Sequence, residues 1–137
     1  MFDDDSLAGG LGDDSLDGGT GTDWVAYDAS TGGVTASLLS GRATGADGND
    51  TLIGIENIRG SGFNDSLVGD SLRNYLYGGA GDDTLDGGTG ADIFHGDLGD
   101  DLVLGGQGED WITYQFTAGA ITIDLVAGTV SLSLIHI

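Results

Sequence analysis

One bulky apolar residue returns at every ninth position through the second half of the chain: Ile58, Leu67, Leu76, Leu85, Phe94, Val103 and Ile112. The residues between are mostly glycine, aspartate and small polar types. A nine-residue spacing is not the 3.6 period of an amphipathic helix. It suits a short extended segment whose middle side chain points inwards, followed by a tight turn. Strict self-similarity means one small unit stacked on itself. Two units make a coil of eighteen residues with a turn on each side, and neighbouring coils then pair through parallel backbone hydrogen bonds. The expected fold class is all-β: a parallel β-roll or β-helix solenoid with inserted β-hairpin segments.

The units can be written out. Four stand in unbroken register: GGAGDDTLD (78–86), GGTGADIFH (87–95), GDLGDDLVL (96–104) and GGQGEDWIT (105–113). Glycine fills places 1, 2 and 4, with Asp97 the exception at place 2; aspartate fills place 6 and the apolar residue place 8. Two more occur upstream, GGLGDDSLD (9–17) and GGTGTDWVA (18–26), and FDDDSLA (2–8) continues them backwards with Asp5 at place 6. GSGFNDSLV (60–68) keeps Gly60, Asp65 and Leu67. GDSLRNYLY (69–77) has Asn74 at place 6, and TLIGIENIR (51–59) keeps only Glu56 and Ile58.

A larger repeat overlies the small one. With Gly18 set on Gly105, GGTGTDWVAYDASTGGVTASLLSG (18–41) lies over GGQGEDWITYQFTAGAITIDLVAG (105–128). Each copy is a repeat followed by a strand pair, whose second strand alternates as Val34, Ala36, Leu38 or as Ile121, Ile123, Leu125. The expected organisation is therefore the end of a first repeat array (1–26), a β-hairpin and linker (27–59, with the linker at 42–50), a second array (60–113) and the start of a second hairpin (114–131). The last six residues (132–137), Leu132-Ser-Leu-Ile-His-Ile137, read as a translated sequencing adaptor, so His136 is set aside from the site. Opening inside a repeat suits a fragment of something longer.

Charge narrows the chemistry. The formal net charge is −20, from 23 acidic residues against three arginines and no lysine. Such a surface repels nucleic acid and anionic membrane, and no apolar window is long enough for a membrane span. There is no cysteine, hence no disulfide and no thiolate site. Only Glu56 and Glu109 are glutamate; the other acids are all aspartate, the shorter side chain that folds back onto a tight turn. One buried side chain for nine ordered residues leaves the apolar core far short of the entropy it must offset. Something else has to hold the turns. Calcium takes six to eight oxygens, from carboxylates and backbone carbonyls, and fits that need better than magnesium with its tight octahedron.

The pattern G-G-x-G-x-D-x-U-x resembles the RTX family, the hemolysin-type calcium-binding repeats of secreted bacterial proteins. The resemblance covers both arrays. It implies several Ca2+ ions, each held between turns of adjacent coils, two units apart. Carried over, Asp83 pairs with Asp101, Asp92 with Asp110, Asp65 with Asp83, and Asp5 with Asp23. The Asn74–Asp92 step lacks one charge, and Asp14 has no unit two steps on because the hairpin intervenes. The turn glycines Gly78, Gly79, Gly81, Gly87, Gly88, Gly90, Gly96, Gly99, Gly105, Gly106 and Gly108 belong to the same sites. Place-5 acids (Asp13, Asp82, Asp100, Glu109) are expected as solvated spares.

Other chemistry finds little support. An EF-hand started at Asp82 would need glutamate where Ile93 stands. Zinc wants His or Cys, and His95 is alone at a strand position, expected to be exposed. Trp24, Trp111, Tyr27 and Tyr114 could form a sugar platform but are expected to close the ends of the apolar core. There is no HExxH and no G-x-S-x-G. The expected function is calcium binding by a non-catalytic β-roll that folds on Ca2+, part of a secreted, extracellular bacterial protein of adhesin or toxin type. In the family such chains leave through a type I secretion channel and fold outside. The alternative is the calcium-binding tail of a secreted RTX protease or lipase whose catalytic domain lies outside these residues.

Overall fold

The computed structural model describes residues 4–113 in full and the backbone of 121–124 and 129–132. Tyr114, His136 and most of the adaptor-like tail lie outside the described residues. Every described element is a strand: β1 (Ser6–Leu7), β2 (Ser15–Asp17), β3 (Trp24–Ala26), β4 (Val34–Ser37), β5 (Arg42–Gly45), β6 (Gly48–Ile53), β7 (Asn57–Arg59), β8 (Ser66–Val68), β9 (Tyr75–Ala80), β10 (Thr84–Asp86), β11 (Ile93–Leu98), β12 (Asp101–Leu104), β13 (Glu109–Thr113), β14 (Ile121–Asp124) and β15 (Thr129–Leu132). Successive units fall alternately into two sheets. One has the order β1-β3-β7-β9-β11-β13-β15, the other β14-β12-β10-β8-β4-β5-β6-β2.

The nine-residue pattern explains this arrangement. Strands one coil apart pair in parallel at a step of eighteen residues: Ser66 faces Thr84 and Thr84 faces Leu102, while Tyr75 faces Ile93 and Ile93 faces Trp111. Because side chains alternate, the middle residue of each three-residue strand points between the sheets. Leu67, Leu85 and Val103 come from one sheet and Val25, Ile58, Leu76, Phe94 and Ile112 from the other, all within 1% of complete burial. These place-8 residues form a single thin core that also takes in Leu16 and Leu52. The all-β parallel roll expected from the period is the fold observed.

The middle of the chain departs from expectation. Residues 42–50 are not a linker: they supply β5 and the start of β6. The hairpin expected within 27–59 is formed by β4 and β5. β4 pairs antiparallel with β5, and β5 antiparallel with β6; β6 then runs parallel to β2, and β4 parallel to β8. The insertion therefore adds to the eight-stranded sheet without breaking it, while β3 pairs directly with β7 across the other face. The two repeat arrays form one continuous roll. The reason is burial: Val34, Ala36, Ala43 and Leu52 all turn into the core, which a solvated linker would leave open. The second copy differs: β14 pairs with β12 and β15 with β13, both in parallel and in different sheets; the side chains of 121–125 lie outside the described residues.

Candidate metal centre

Each site begins with a turn that only small residues can make. At place 4 the chain adopts positive φ, +138° at Gly99, and a Cβ there would run into the carbonyl oxygen of Gly81 one coil earlier. At place 1 a Cβ on Gly87 would lie 2.5 Å from Oδ2 of Asp92, the carboxylate of its own unit. The glycines therefore let backbone stack on backbone and let each aspartate fold back over its turn. Asp97, the exception at place 2, takes the left-handed conformation itself, at φ 71°, a region that aspartate tolerates better than most residues.

The place-6 side chains then form a ladder. Oδ1 of each accepts a hydrogen bond from the backbone N–H at the corresponding place one coil earlier. Asp23 accepts from Asp5 (2.7 Å), Asp83 from Asp65 (2.8 Å), Asp92 from Asn74 (2.8 Å), Asp101 from Asp83 (3.0 Å) and Asp110 from Asp92 (3.0 Å). Every pairing carried over from the family is thus brought together. Oδ2 is different. On Asp14, Asp23, Asp83, Asp92, Asp101 and Asp110 it is buried and has no hydrogen-bond donor. A buried carboxylate oxygen without a partner is costly. Here the cost recurs with the repeat, beside the stacked carbonyls of the turns.

Asp5 is exposed, and two buried place-6 residues escape this pattern. Asp65 accepts from the Val34 N–H and from both the N–H and hydroxyl of Ser61, so its oxygens are occupied. Asn74 donates Nδ2 to the Glu56 carbonyl (2.9 Å) and accepts the Asp70 N–H at Oδ1 (2.8 Å). Both belong to the coil with non-glycine residues, Ser61 and Asp70, at place 2. The place-6 groups of that coil are satisfied by Ser61 and Asp70 within it and by Val34 and Glu56 from neighbouring segments.

Burial without a counter-charge disturbs the acids. The Asp83 carboxyl is pushed up to about 7, first by burial and then by the charges of Asp65, Asp101 and Asp82. Asp92 rises to about 6 through burial and the charges of Asp110 and Asp70, and burial also raises Asp101. The usual value is near 3.9. In the ion-free fold these carboxyls hold protons more tightly than in the unfolded chain, so their contribution to stability is fully present below about pH 4 and is lost as pH rises through 6 to 7. In metal-free buffer, β-structure followed by circular dichroism should be greater at pH 5 than at pH 8. A β-signal that grows with pH would contradict this picture of the buried acids.

No group of three or more His, Cys, Asp or Glu side chains gathers round one point among the described residues. A cation held here therefore draws part of its shell from backbone carbonyls, and the glycine turns bring these close. An all-oxygen donor set of aspartates and carbonyls is what calcium takes. Residues 2–29, 53–71, 59–94 and 77–112 each match the family model of the RTX calcium-binding nonapeptide repeat. The chain belongs to the RTX calcium-binding nonapeptide repeat family. No curated protein matches it. Residues 30–52, the inserted strands, fall between the RTX matches.

Several expectations need correction beside the RTX ladder. Place-5 acids Asp13, Asp82 and Asp100 are exposed, as expected, yet they are not idle. They make an outer ladder of opposite sense, in which Asp82 accepts from Asp100 N–H (2.9 Å) and Asp13 from Asn49 N–H (2.8 Å). Trp24 and Trp111 do not close the core. Trp24 stands outside the seven-stranded sheet against Tyr75 (6.0 Å between centroids) and under Arg59, and Trp111 is about half exposed. A middle-of-strand residue points inwards, so its neighbours at places 7 and 9 must point out. Tyr27 and Leu38 do pack on the core. His95, expected to be exposed, is half-buried and stacks on Tyr77 at 4.1 Å. Glu56 takes the ladder position after Asp23, accepting its N–H at 2.8 Å.

The largest omission is Asp50. It accepts the Asp14 N–H at 3.1 Å, so Asp14 does have a partner despite the intervening strands. Asn49-Asp50-Thr51-Leu52 echoes Asn64-Asp65-Ser66-Leu67, a signal that keeps the first array's register (Gly45 lies 27 residues after Gly18) but is overlaid by the second array's register from 51.

Proposed function

We propose that this chain is a non-catalytic β-roll that folds on binding several calcium ions, as part of an exported bacterial protein. The observation that carries the reading is the set of buried, donor-less Oδ2 atoms on Asp14, Asp23, Asp83, Asp92, Asp101 and Asp110. Bound calcium would cancel the repulsion between these carboxylates. The chain's own residues do the rest. Glycines at places 1 and 4 stack the turns, Oδ1 locks each carboxylate to the coil before it, and Oδ2 is left for the ion. Binding and folding are then one event. A chain with −20 formal charges and so thin a core would stay open where calcium is scarce and close outside the cell. The repeat of 18–41 at 105–128 supports an adhesin- or toxin-like parent built from many such modules.

The test is far-UV circular dichroism of the chain, titrated with calcium, reversed with chelator and repeated with magnesium. The expected result is a cooperative coil-to-β transition with calcium, undone by chelator and absent with magnesium. A β-spectrum of equal strength in chelator would refute calcium-driven folding.

A further inference from the structure

The outer face of the seven-stranded sheet is unlike the rest of the chain. Its outward places, 7 and 9 of each unit, bring together Trp24, Tyr75, Tyr77, His95 and Trp111 from β3, β9, β11 and β13. None of the chain's 23 acidic residues stands at such a place on β3, β7, β9, β11 or β13. On β2, β8, β10 and β12 in the other sheet, the same places hold Asp17 and Asp86 and no aromatic ring. Two of the three arginines lie over the rings. The Arg59 guanidinium carbon is 5.7 Å from the Trp24 ring centre and 5.6 Å from that of Tyr77, and these two rings are 6.2 Å apart. Arg73 is 5.5 Å from the Tyr75 ring. Such cation–π contacts hold the planar forks in place. Arg59 also meets Asp28 at 3.7 Å, with both side chains about half exposed. A donor fork and an acceptor carboxylate thus stand side by side next to an aromatic surface, and their charges cancel.

We propose that this face binds a neutral polysaccharide of pyranose units. The apolar C–H face of a sugar ring packs against Trp24 or Trp111, while its hydroxyls, donors and acceptors at once, meet the Arg59–Asp28 pair. The charge of −20 on the whole chain disfavours a polyanion; a neutral polymer meets no such barrier, and the face itself is close to neutral. The partner is a polymer because the face repeats. Trp24 and Trp111 are equivalent residues of the larger repeat. Their strands, β3 and β13, lie four steps apart in the sheet, about 19 Å at the usual strand spacing. The larger repeat therefore returns the same ring to the same face, and one regular sugar chain can engage both rings. Weak contacts made by a single polymer then combine as avidity. The place-6 turns are left to calcium, so this role goes beyond the proposed calcium binding and uses other residues.

The experiment uses the full chain in saturating calcium, with folding checked by circular dichroism. An array of neutral and acidic hexopyranose oligosaccharides selects the probe, and the tightest neutral oligosaccharide is then titrated by calorimetry. Its affinity should stay within about twofold between low and high sodium chloride, because no ion pair is screened. Trp24→Ala, Arg59→Ala and Trp111→Ala should each weaken it about tenfold, as befits an aromatic or arginine anchor. Thr84→Ala, on the other sheet, should bind like the parent. Should Trp24→Ala fail to fold, Trp111→Ala and Arg59→Ala decide, since both side chains are about half exposed. Parental affinity in these two folded variants would overturn the inferred face, as would a folded parent that binds no neutral glycan. A preference for acidic oligosaccharides that fades with salt would also overturn it, in favour of a charged partner. A chain already folded in chelator would sink calcium-driven folding and leave this test intact.

Discussion

Phe94→Ala is expected to lower the stability of the calcium-loaded chain by about 3–5 kcal/mol, the range for deleting a buried aromatic ring. Phe94 is fully buried, in register between Leu76 and Ile112 on its own sheet. Its ring also lies under the neighbouring turn: a Cβ on Gly87 would come within 2.8 Å of its tip. The core is one side chain thick per strand, so little can move in to refill the space. Trp111→Ala, on the outer face one strand away, removes a larger ring that is about half exposed and should cost about 1 kcal/mol or less. Urea unfolding in saturating calcium would show the contrast. Similar losses for the two would mean that the sheet's outer aromatics hold the roll as much as its core does.

Asp92→Ala should raise the calcium concentration at half-folding about tenfold or more. The substitution removes an ion ligand and strips the buried Asn74 N–H of its acceptor, a loss of about 1–3 kcal/mol by itself, where about 1.4 kcal/mol is one decade in binding. Asp82→Ala deletes the same charge from the exposed outer ladder, where the affected bond is to Asp100 N–H. There the midpoint should move less than about threefold, as suits an exposed bond. The comparison is made by calcium titration of both variants under one ionic strength. Equal shifts would mean that bulk negative charge, rather than position in the turn, governs folding.

The residues are most legible where geometry repeats. Leu67, Leu85 and Val103 can be read as core because the spacing is fixed by the turn, and the turn is fixed by glycines that tolerate no Cβ. The pairings Asp83–Asp101 and Asp92–Asp110 are legible for the same reason. Asp50 is not, since its unit, in phase with the first array, overlaps the second array's register at 51–59, and its place beside Asp14 depends on the chain reversing through β5. The outward aromatics are easily misread because a single tryptophan carries no mark of the face it takes; the phase of Val25 and Ile112 beside it carries that mark. Asp65 shows another limit. Its sequence matches a ligand, but Ser61, standing where the motif has glycine, and Val34, from outside the repeat, already occupy its oxygens.

The two ladders also give the roll a direction. At place 6 the donor always lies in the earlier coil and the acceptor in the later one, from Asp5 and Asp23 to Asp92 and Asp110; at place 5 the sense is reversed, as from Asp100 to Asp82. A coil is therefore completed on its inner edge by the next coil in the chain and on its outer edge by the previous one. The buried bonds are the inner ones. Order should accordingly spread more readily from carboxyl-terminal coils towards amino-terminal ones, because each finished coil presents, ready-made, the carboxylate that its predecessor needs.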